Sequence, residues 1–430
     1  MPRDRERYGA LHTQGFRLTR RGWGFLVVSG VTAFAAYVGA RGILLFVAAL
    51  LVVLPIGALL LVILRRPRIS VTRHFSPELV PVGSSTRVRL TLRNTARLPS
   101  LPALWSDEVP WYPFATAWSD LPSIPRRGVL IAEYDLPAPV RGLVEVGPLS
   151  VRISDGFGLA TNTVSLGASK SLVVTPDVVE LPSASLVIPA GDGEATLVQR
   201  RASGDDDDTM TREYRRGDSM RRVHWRASAR HGDLMVRQEE QRSFPEARLL
   251  IDTEESGYPD HDGLQSDAFE WVVRMLASSS VNLRRNGFHV SIEESGAAQL
   301  AAVANTRQRT WGDEELLLKL AELDLTPVAG ERRPRSARES GPIIALVSAP
   351  SPAVIEWMLG KRQRGELAVA FIARGLTAAD HIGFGGHSPS EAARRFAEDG
   401  WLIVPVRSDD DPAAAWEAIV VESGRARAAD

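Results

Sequence analysis

Among 430 residues there is no cysteine, which excludes disulfides, thiolate-held zinc and cysteine-nucleophile catalysis. There is no surplus of charge either: 51 Lys and Arg stand against 52 Asp and Glu, a formal net charge of -1. A dedicated nucleic-acid binder therefore lacks its electrostatic basis, and no nucleic-acid partner is expected. Histidine is scarce, with 8 in the chain, and no HExxH pair, GxSxG elbow or GxxxxGK[ST] loop occurs. The GFGGH stretch at 383–387 follows a predicted strand but lacks the GxGxxG spacing, and reads as a loop. No site for a nucleotide cofactor is visible.

What is present is an apolar N-terminal end. Residues 23–40 and 43–64 carry no charge, and at 1.5 Å per residue each would span roughly 27 to 33 Å, enough for a bilayer. Only Arg41 and Gly42 separate them, so a tight two-helix transmembrane hairpin is expected. The competing interpretation of the first run is a cleaved signal peptide. Arginines flank the pair at Arg3, Arg5, Arg7, Arg17, Arg20 and Arg21 and at Arg65, Arg66, Arg68 and Arg73, against Arg41 in the turn. The positive-inside bias puts both termini in the cytoplasm, as a two-helix, multi-pass protein of the cell membrane.

Beyond the hairpin the periodicity is first that of strands. In STRVRLTLRN, Val88, Leu90 and Leu92 alternate with Arg87, Arg89, Thr91 and Arg93, and short runs of this kind over 65–175 predict an antiparallel β-sandwich-like domain. Trp105, Trp111 and Trp118 fall in its Pro-rich middle, as packing residues or as a binding surface. After Phe244 strands alternate with helices: ARLLIDT, a helix over 265–286, GFHVSIEE, a helix over 313–323, PIIALVSA, a helix over 352–362, LAVAFIA, a helix over 389–399 and WLIVPV. Such alternation predicts a doubly wound, mostly parallel α/β sheet covered on both faces over 244–430, with ligands at the carboxyl ends of its strands. The organisation expected is a basic leader (1–22), hairpin (23–64), β domain (65–175), connecting segment (176–243) and α/β domain.

The connecting segment carries the most distinctive string, TREYRRGDSMRRVHWRASARHGDLMVRQEEQ at 211–241. It resembles the signature of the bacterial domain of unknown function 58 family, through Tyr214, Gly217, Asp218, Arg221, His224, Trp225, Ser228, Ala229 and Arg230. The upstream VRGLVEVGPLSVRISDGFGLA is similar to that family's Arg-Gly, Gly-Pro and Asp-Pro-Phe-Gly-Leu stretch, with Gly156 where proline is usual. Physically, crowded Arg and Asp form ion pairs or an anion site. The favoured expectation is a structural network around Asp218, with His224 and Trp225 packed as a core pair; a partner surface and a phosphate site are the alternatives.

The resemblance further implies that the α/β domain is von Willebrand factor A-like. Such domains often hold Mg²⁺ on an Asp-x-Ser-x-Ser turn; here the turn offers Asp252, Glu254 and Ser256, oxygen donors suited to a hard cation. The later Asp is absent, because PIIALVSAPS ends in Ser348, Ala349 and Pro350. The metal site reads as degenerate, with no cofactor expected. The family is linked with MoxR-type AAA+ ATPases. The function expected is therefore a non-enzymatic, membrane-anchored protein-interaction module or adaptor working with such an ATPase. A Mg²⁺-dependent enzyme acting on a phosphorylated substrate is the rival, and an anionic-lipid sensor using Arg65, Arg66, Arg68 and Arg73 the third possibility.

Overall fold

The structure is a computed structural model and describes residues 15–39, 41–111, 118–182, 211–214, 225–237, 246–261, 265–300, 312–327, 341–363, 366–375 and 389–419. The chain divides into two compact units, Met1–Asp177 and Val178–Asp430.

The first unit begins with strand β1 (Gly15–Leu18) and helices α1 (Arg20–Gly39) and α2 (Gly42–Leu64). Both helices are long and apolar enough to cross a membrane. They pack on each other, and the buried Ser29 hydroxyl donates to the carbonyl of Ala48 at 2.8 Å, which satisfies a polar group that lipid could not. Strands β2 (Ile69–Ser76), β3 (Leu79–Pro81), β4 (Ser85–Asn94), β5 (Ala103–Asp107), β6 (Ser119–Leu121), β7 (Val129–Pro137), β8 (Gly142–Val146), β9 (Leu149–Ser154), β10 (Ala160–Leu166) and β11 (Lys170–Thr175) follow. They form three sheets, ordered β1-β10-β9-β5-β6, β2-β4-β7 and β3-β11-β8. The pairings are antiparallel except β3 with β11. All three contribute to one core, and Val88, Leu90 and Leu92 of β4 are wholly buried in it. On the other face of β4, Arg87 and Arg89 stand opposite Asp135 and Glu133 of β7 and pair with them at 3.2 and 2.6 Å in solvent. Trp105 is buried and packs its ring against Tyr134. Trp111 is half-buried against the same core, and Trp118 lies beneath the Arg152 guanidinium at 3.9 Å.

Two findings depart from expectation. Residues 15–18, inside the basic leader, are a sheet strand: β1 pairs with β10 from Gly15 with Thr163 to Leu18 with Ala160. Arg73, expected among the arginines facing a lipid leaflet, is buried instead and held by Asp107 through Nε at 3.0 Å and Nη2 at 2.5 Å. A bidentate fork inside the β core satisfies both charges, so this arginine is unavailable to lipid.

The second unit contains β12 (Thr211–Glu213), α3 (Trp225–His231) and β13 (Met235–Arg237), then β14 (Glu246–Ile251), α4 (Asp267–Arg285), β15 (His289–Glu294), α5 (Asp313–Glu322), β16 (Ile343–Val347), α6 (Pro352–Leu359), β17 (Ala368–Arg374), α7 (Pro389–Glu398), β18 (Leu402–Arg407) and a helix at 412–419. Strands β14 to β18 form one parallel sheet ordered β15-β14-β16-β17-β18. Leu249, Ile251, Ile344 and Phe371 cluster with α4 residues Phe269, Trp271 and Leu276. Leu250, Ile343 and Ala345 cluster instead with Ile355 and Met358 of α6 and Phe396 of α7. Burial on both faces is why these strands are continuous apolar runs rather than alternating ones. The exception is Arg248, wholly buried in β14, whose guanidinium donates to Glu366 at 2.8 Å and to the Lys361 carbonyl at 2.9 Å. Beside it the Lys361 ammonium meets Glu293 at 2.5 Å. Strand order reverses between β14 and β16, which puts the topological switch point where those two strands end, at Asp252 and Ser348.

Candidate functional site

The sequence singles out two groups of residues. The first is the signature segment. Strands β12 and β13 pair antiparallel from Thr211 with Arg237 to Glu213 with Met235, and α3 lies between them in sequence. Ser228 accepts from the Met235 N–H at 2.8 Å, and the Tyr214 N–H donates to the Leu234 carbonyl at 2.7 Å. Gly232, at φ 83°, ends the helix in the left-handed conformation that glycine alone adopts without strain. Ser228 therefore ties helix to strand. Ala229 and Arg230 are exposed. Trp225 is 66% exposed, so it does not pack as a core residue. It opens a helix of seven residues. Gly217, Asp218, Arg221 and His224 lie outside the described residues, as does the 383–387 stretch.

The second group is the edge where β14 and β15 end. Asp252 is wholly buried, and its Oδ1 accepts from the Ser295 hydroxyl at 2.5 Å and from the Glu254 N–H at 3.1 Å. Ser295 in turn accepts from the Thr253 N–H at 3.0 Å. The Thr253 hydroxyl accepts from the Gly296 N–H at 3.0 Å, and its carbonyl from the Thr326 N–H at 2.8 Å. Tyr258 donates to the Asp252 carbonyl at 2.7 Å. Burial, then the charges of Asp252 and Asp260, hold its hydroxyl well above the usual tyrosine range, so it remains a donor. Asp260 caps α4, accepting from the Ser266 hydroxyl at 2.7 Å and the Ala268 N–H at 2.9 Å. Glu294 accepts two backbone N–H groups, from Gln299 at 2.9 Å and Leu300 at 2.8 Å, and burial raises its carboxyl above the ordinary range.

The turn read as a degenerate metal site is a loop fastener. Asp252 is buried and engaged, Glu254 is buried, and Ser256 is exposed, so the three expected oxygen donors sit in unlike surroundings. Among the described residues no group of three His, Cys, Asp or Glu side chains is placed to hold a metal ion. The residues fit Mg²⁺ poorly. Thr253, Ser295 and Thr326, which complete the fastener, were not foreseen; hydroxyls at strand ends carry no periodic signal.

Residues 210–298 match the family model of DUF58, a protein family of unknown function. The DUF58 match spans the β12–α3–β13 ribbon and the β14–α4–β15 unit, including both Asp252 and Ser295. No curated protein matches the chain. Among solved structures, the crystal structure of the CARDB domain of PF1109 from Pyrococcus furiosus, in complex with di-metal ions, is 11% identical, covering 24% of this chain and 96% of that one at a TM-score of 0.18. The solution NMR structure of the same domain is also 11% identical, covering 24% and 95% at 0.18. Pseudomonas fluorescens alkylpurine DNA glycosylase AlkC, bound to DNA containing an abasic site analog, is 11% identical, covering 29% and 40% at 0.16. At these scores none bears on the fold or function of the chain.

Proposed function

We propose that the protein is a membrane-anchored interaction module whose second unit is von Willebrand factor A-like, and that its partner is a MoxR-type AAA+ ATPase. Both ends of the hairpin lie on the cytoplasmic side in this reading. One observation carries it: the DUF58 segment displays Trp225 two-thirds exposed, on the same short helix as exposed Arg230. Tryptophan and arginine are among the side chains most enriched at the energetic centres of protein interfaces. The knot around Asp252 supports the same reading, because a carboxylate engaged by Ser295 and the Glu254 N–H orders the loops at the sheet edge.

The test is affinity purification of tagged full-length protein from mildly crosslinked membranes, with mass spectrometry, for wild type, Trp225→Ala and Arg230→Glu. Wild type should enrich an AAA+ ATPase, and each variant should lose it by about tenfold or more, as expected for a hot-spot contact above ~1.4 kcal/mol. Equal recovery from all three, or no ATPase with abundant wild-type bait, would refute the proposal.

A further inference from the structure

The turn between β9 and β10, Asp155-Gly156-Phe157-Gly158-Leu159, joins the hairpin to the β sheets. Its shape is fixed from within. The Asp155 carboxylate accepts the Phe157 N–H at 2.9 Å and the Ala160 N–H at 2.6 Å, and Gly158 takes φ 68°. The two large side chains then part company. Leu159 is buried in a small core with Ala58 and Val62 of α2, against which Leu18, Phe25 and Leu54 pack. Phe157 is 72% exposed.

The turn sits at the first turn of α1. The Thr19 N–H donates to the Leu159 carbonyl at 2.9 Å and its hydroxyl to the Gly158 carbonyl at 2.6 Å, while the same hydroxyl accepts the Gly22 N–H at 3.1 Å. Gly22 is required there, because a Cβ would collide with the Leu159 carbonyl. Phe157 is thus held beside the start of a helix that turns from charged to wholly uncharged after Arg21. Around the same level Arg17, Arg20, Arg21, Arg65 and Arg66 are exposed. So are Trp23, at 60%, and Phe16, at 52%; Phe16 lies two residues before Leu18 and hence on the same side of β1.

From this we infer that the 155–159 turn is a membrane-interface clamp. Leu159 locks the hairpin to the β sheets, and Phe157, with Phe16 and Trp23, seats in the headgroup region of the leaflet from which the hairpin emerges. The occupant of this patch is the bilayer, for two reasons. The patch is continuous with the two apolar helices, and aromatic rings ringed by arginines match a headgroup layer with anionic lipid. The clamp requires that the hairpin cross the bilayer and is independent of which protein the second unit binds.

The absence of cysteine makes the test direct, since each single-cysteine variant of the full chain carries one label. Phe157→Cys, Asp135→Cys on the solvated face of β7 and Val31→Cys within α1 are labelled with an environment-sensitive fluorophore. The chains are reconstituted in phosphatidylcholine and phosphatidylglycerol vesicles. Aqueous iodide and lipids bearing nitroxides near the headgroup or deep in the acyl chain serve as quenchers. The label at 157 should be shielded from iodide several-fold relative to that at 135, and quenched more by the shallow nitroxide than by the deep one. The label at 31 should show the reverse depth order. Iodide quenching at 157 equal to that at 135, with no lipid quenching, overturns the clamp. Shielding from iodide without lipid quenching overturns it too, in favour of a second copy covering the patch. A label at 31 untouched by either nitroxide would remove the membrane crossing on which the clamp rests.

Discussion

Replacing Asp107 by alanine should be among the most damaging single changes in the first unit. Arg73 and Asp107 are 2% and 0% exposed as side chains and joined at 2.5 Å. A second guanidinium bond of 3.0 Å parallels the first, and Arg73 also donates to the Ala168 carbonyl at 3.1 Å. Tyr134 donates to the same carboxylate at 2.6 Å, its hydroxyl kept protonated chiefly by burial and then by the Asp107 charge. Behind the guanidinium lies Gly147 at φ 102°, where a Cβ would be 2.6 Å from Nη2, so the backbone closes over the charge. Removing the carboxylate strands a cation and a phenol in the core, and losing one partner of a buried pair costs about 3–5 kcal/mol. At roughly 4 °C per kcal/mol for a domain of this size, the transition should fall by roughly 12–20 °C. The assay is thermal unfolding in detergent followed by near-UV circular dichroism, to which the packed Trp105 and Tyr134 rings contribute. The double change Arg73→Met, Asp107→Leu should recover much of the loss, because it strands no charge. If Asp107→Ala melts within about 3 °C of wild type, less than ~1 kcal/mol on this scale, or if the double variant is worse than the single, the argument from stranded charge is wrong.

Two further outcomes follow from the second unit. Ser295→Ala removes a donor to Asp252 and an acceptor for the Thr253 N–H, both buried, so stability should drop by about 1–3 kcal/mol in chemical unfolding, and no drop would show that the hydroxyl is dispensable to the knot. Burial raises Glu294 above its ordinary 4.5, against the lowering effect of the Leu300 and Gln299 N–H groups. A raised folded value means a contribution fully present below 4.5 and lost as pH climbs through the folded value. Stability should therefore decline from about pH 4.5 upward, the ordinary value of a free glutamate, and Glu294→Gln should flatten that slope. A wild-type profile that rises over the same window would contradict the assignment.

Much of the architecture was legible because burial imposes periodicity. Val88, Leu90 and Leu92 alternate since β4 has one face inward, and 343–347 is unbroken since β16 is covered on both. The helix expected over 265–286 runs over 267–285, because Ser266 stands outside it as the cap, its hydroxyl accepting the Phe269 N–H at 3.0 Å. Polar residues were the ones misjudged. Arg73 lies in a flank rich in arginine and was counted with it, yet its partner Asp107 is 34 residues away. Arg248 interrupts an apolar run, and what permits it are Lys361 and Glu366, 113 and 118 residues later. Ser295 and Thr326 close the Asp252 knot from other loops. No local pattern marks such residues, because a buried polar group is specified by a partner and not by a period.

The same reasoning explains why β1 was read as part of a leader. Gly-Phe-Arg-Leu has neither length nor alternation enough to mark a strand, and its pairing partner β10 lies more than 140 residues on. Its role becomes clear only with Thr19, Gly22 and Leu159 in place. The ladder to β10, the Thr19 bonds to Gly158 and Leu159, and the Leu159 contact with α2 fasten the hairpin through hydrogen bonds and apolar packing together. To swing the β sheets away from the helix ends, the β1 ladder and the Thr19 bonds must break together with the packing of Leu159. Each bond contributes about 0.5–1.5 kcal/mol, and the buried Leu159 adds its packing, so the joint acts as a bracket rather than a tether. A four-residue strand supplied by the approach to the first apolar helix is therefore enough to set how the β sheets meet the hairpin.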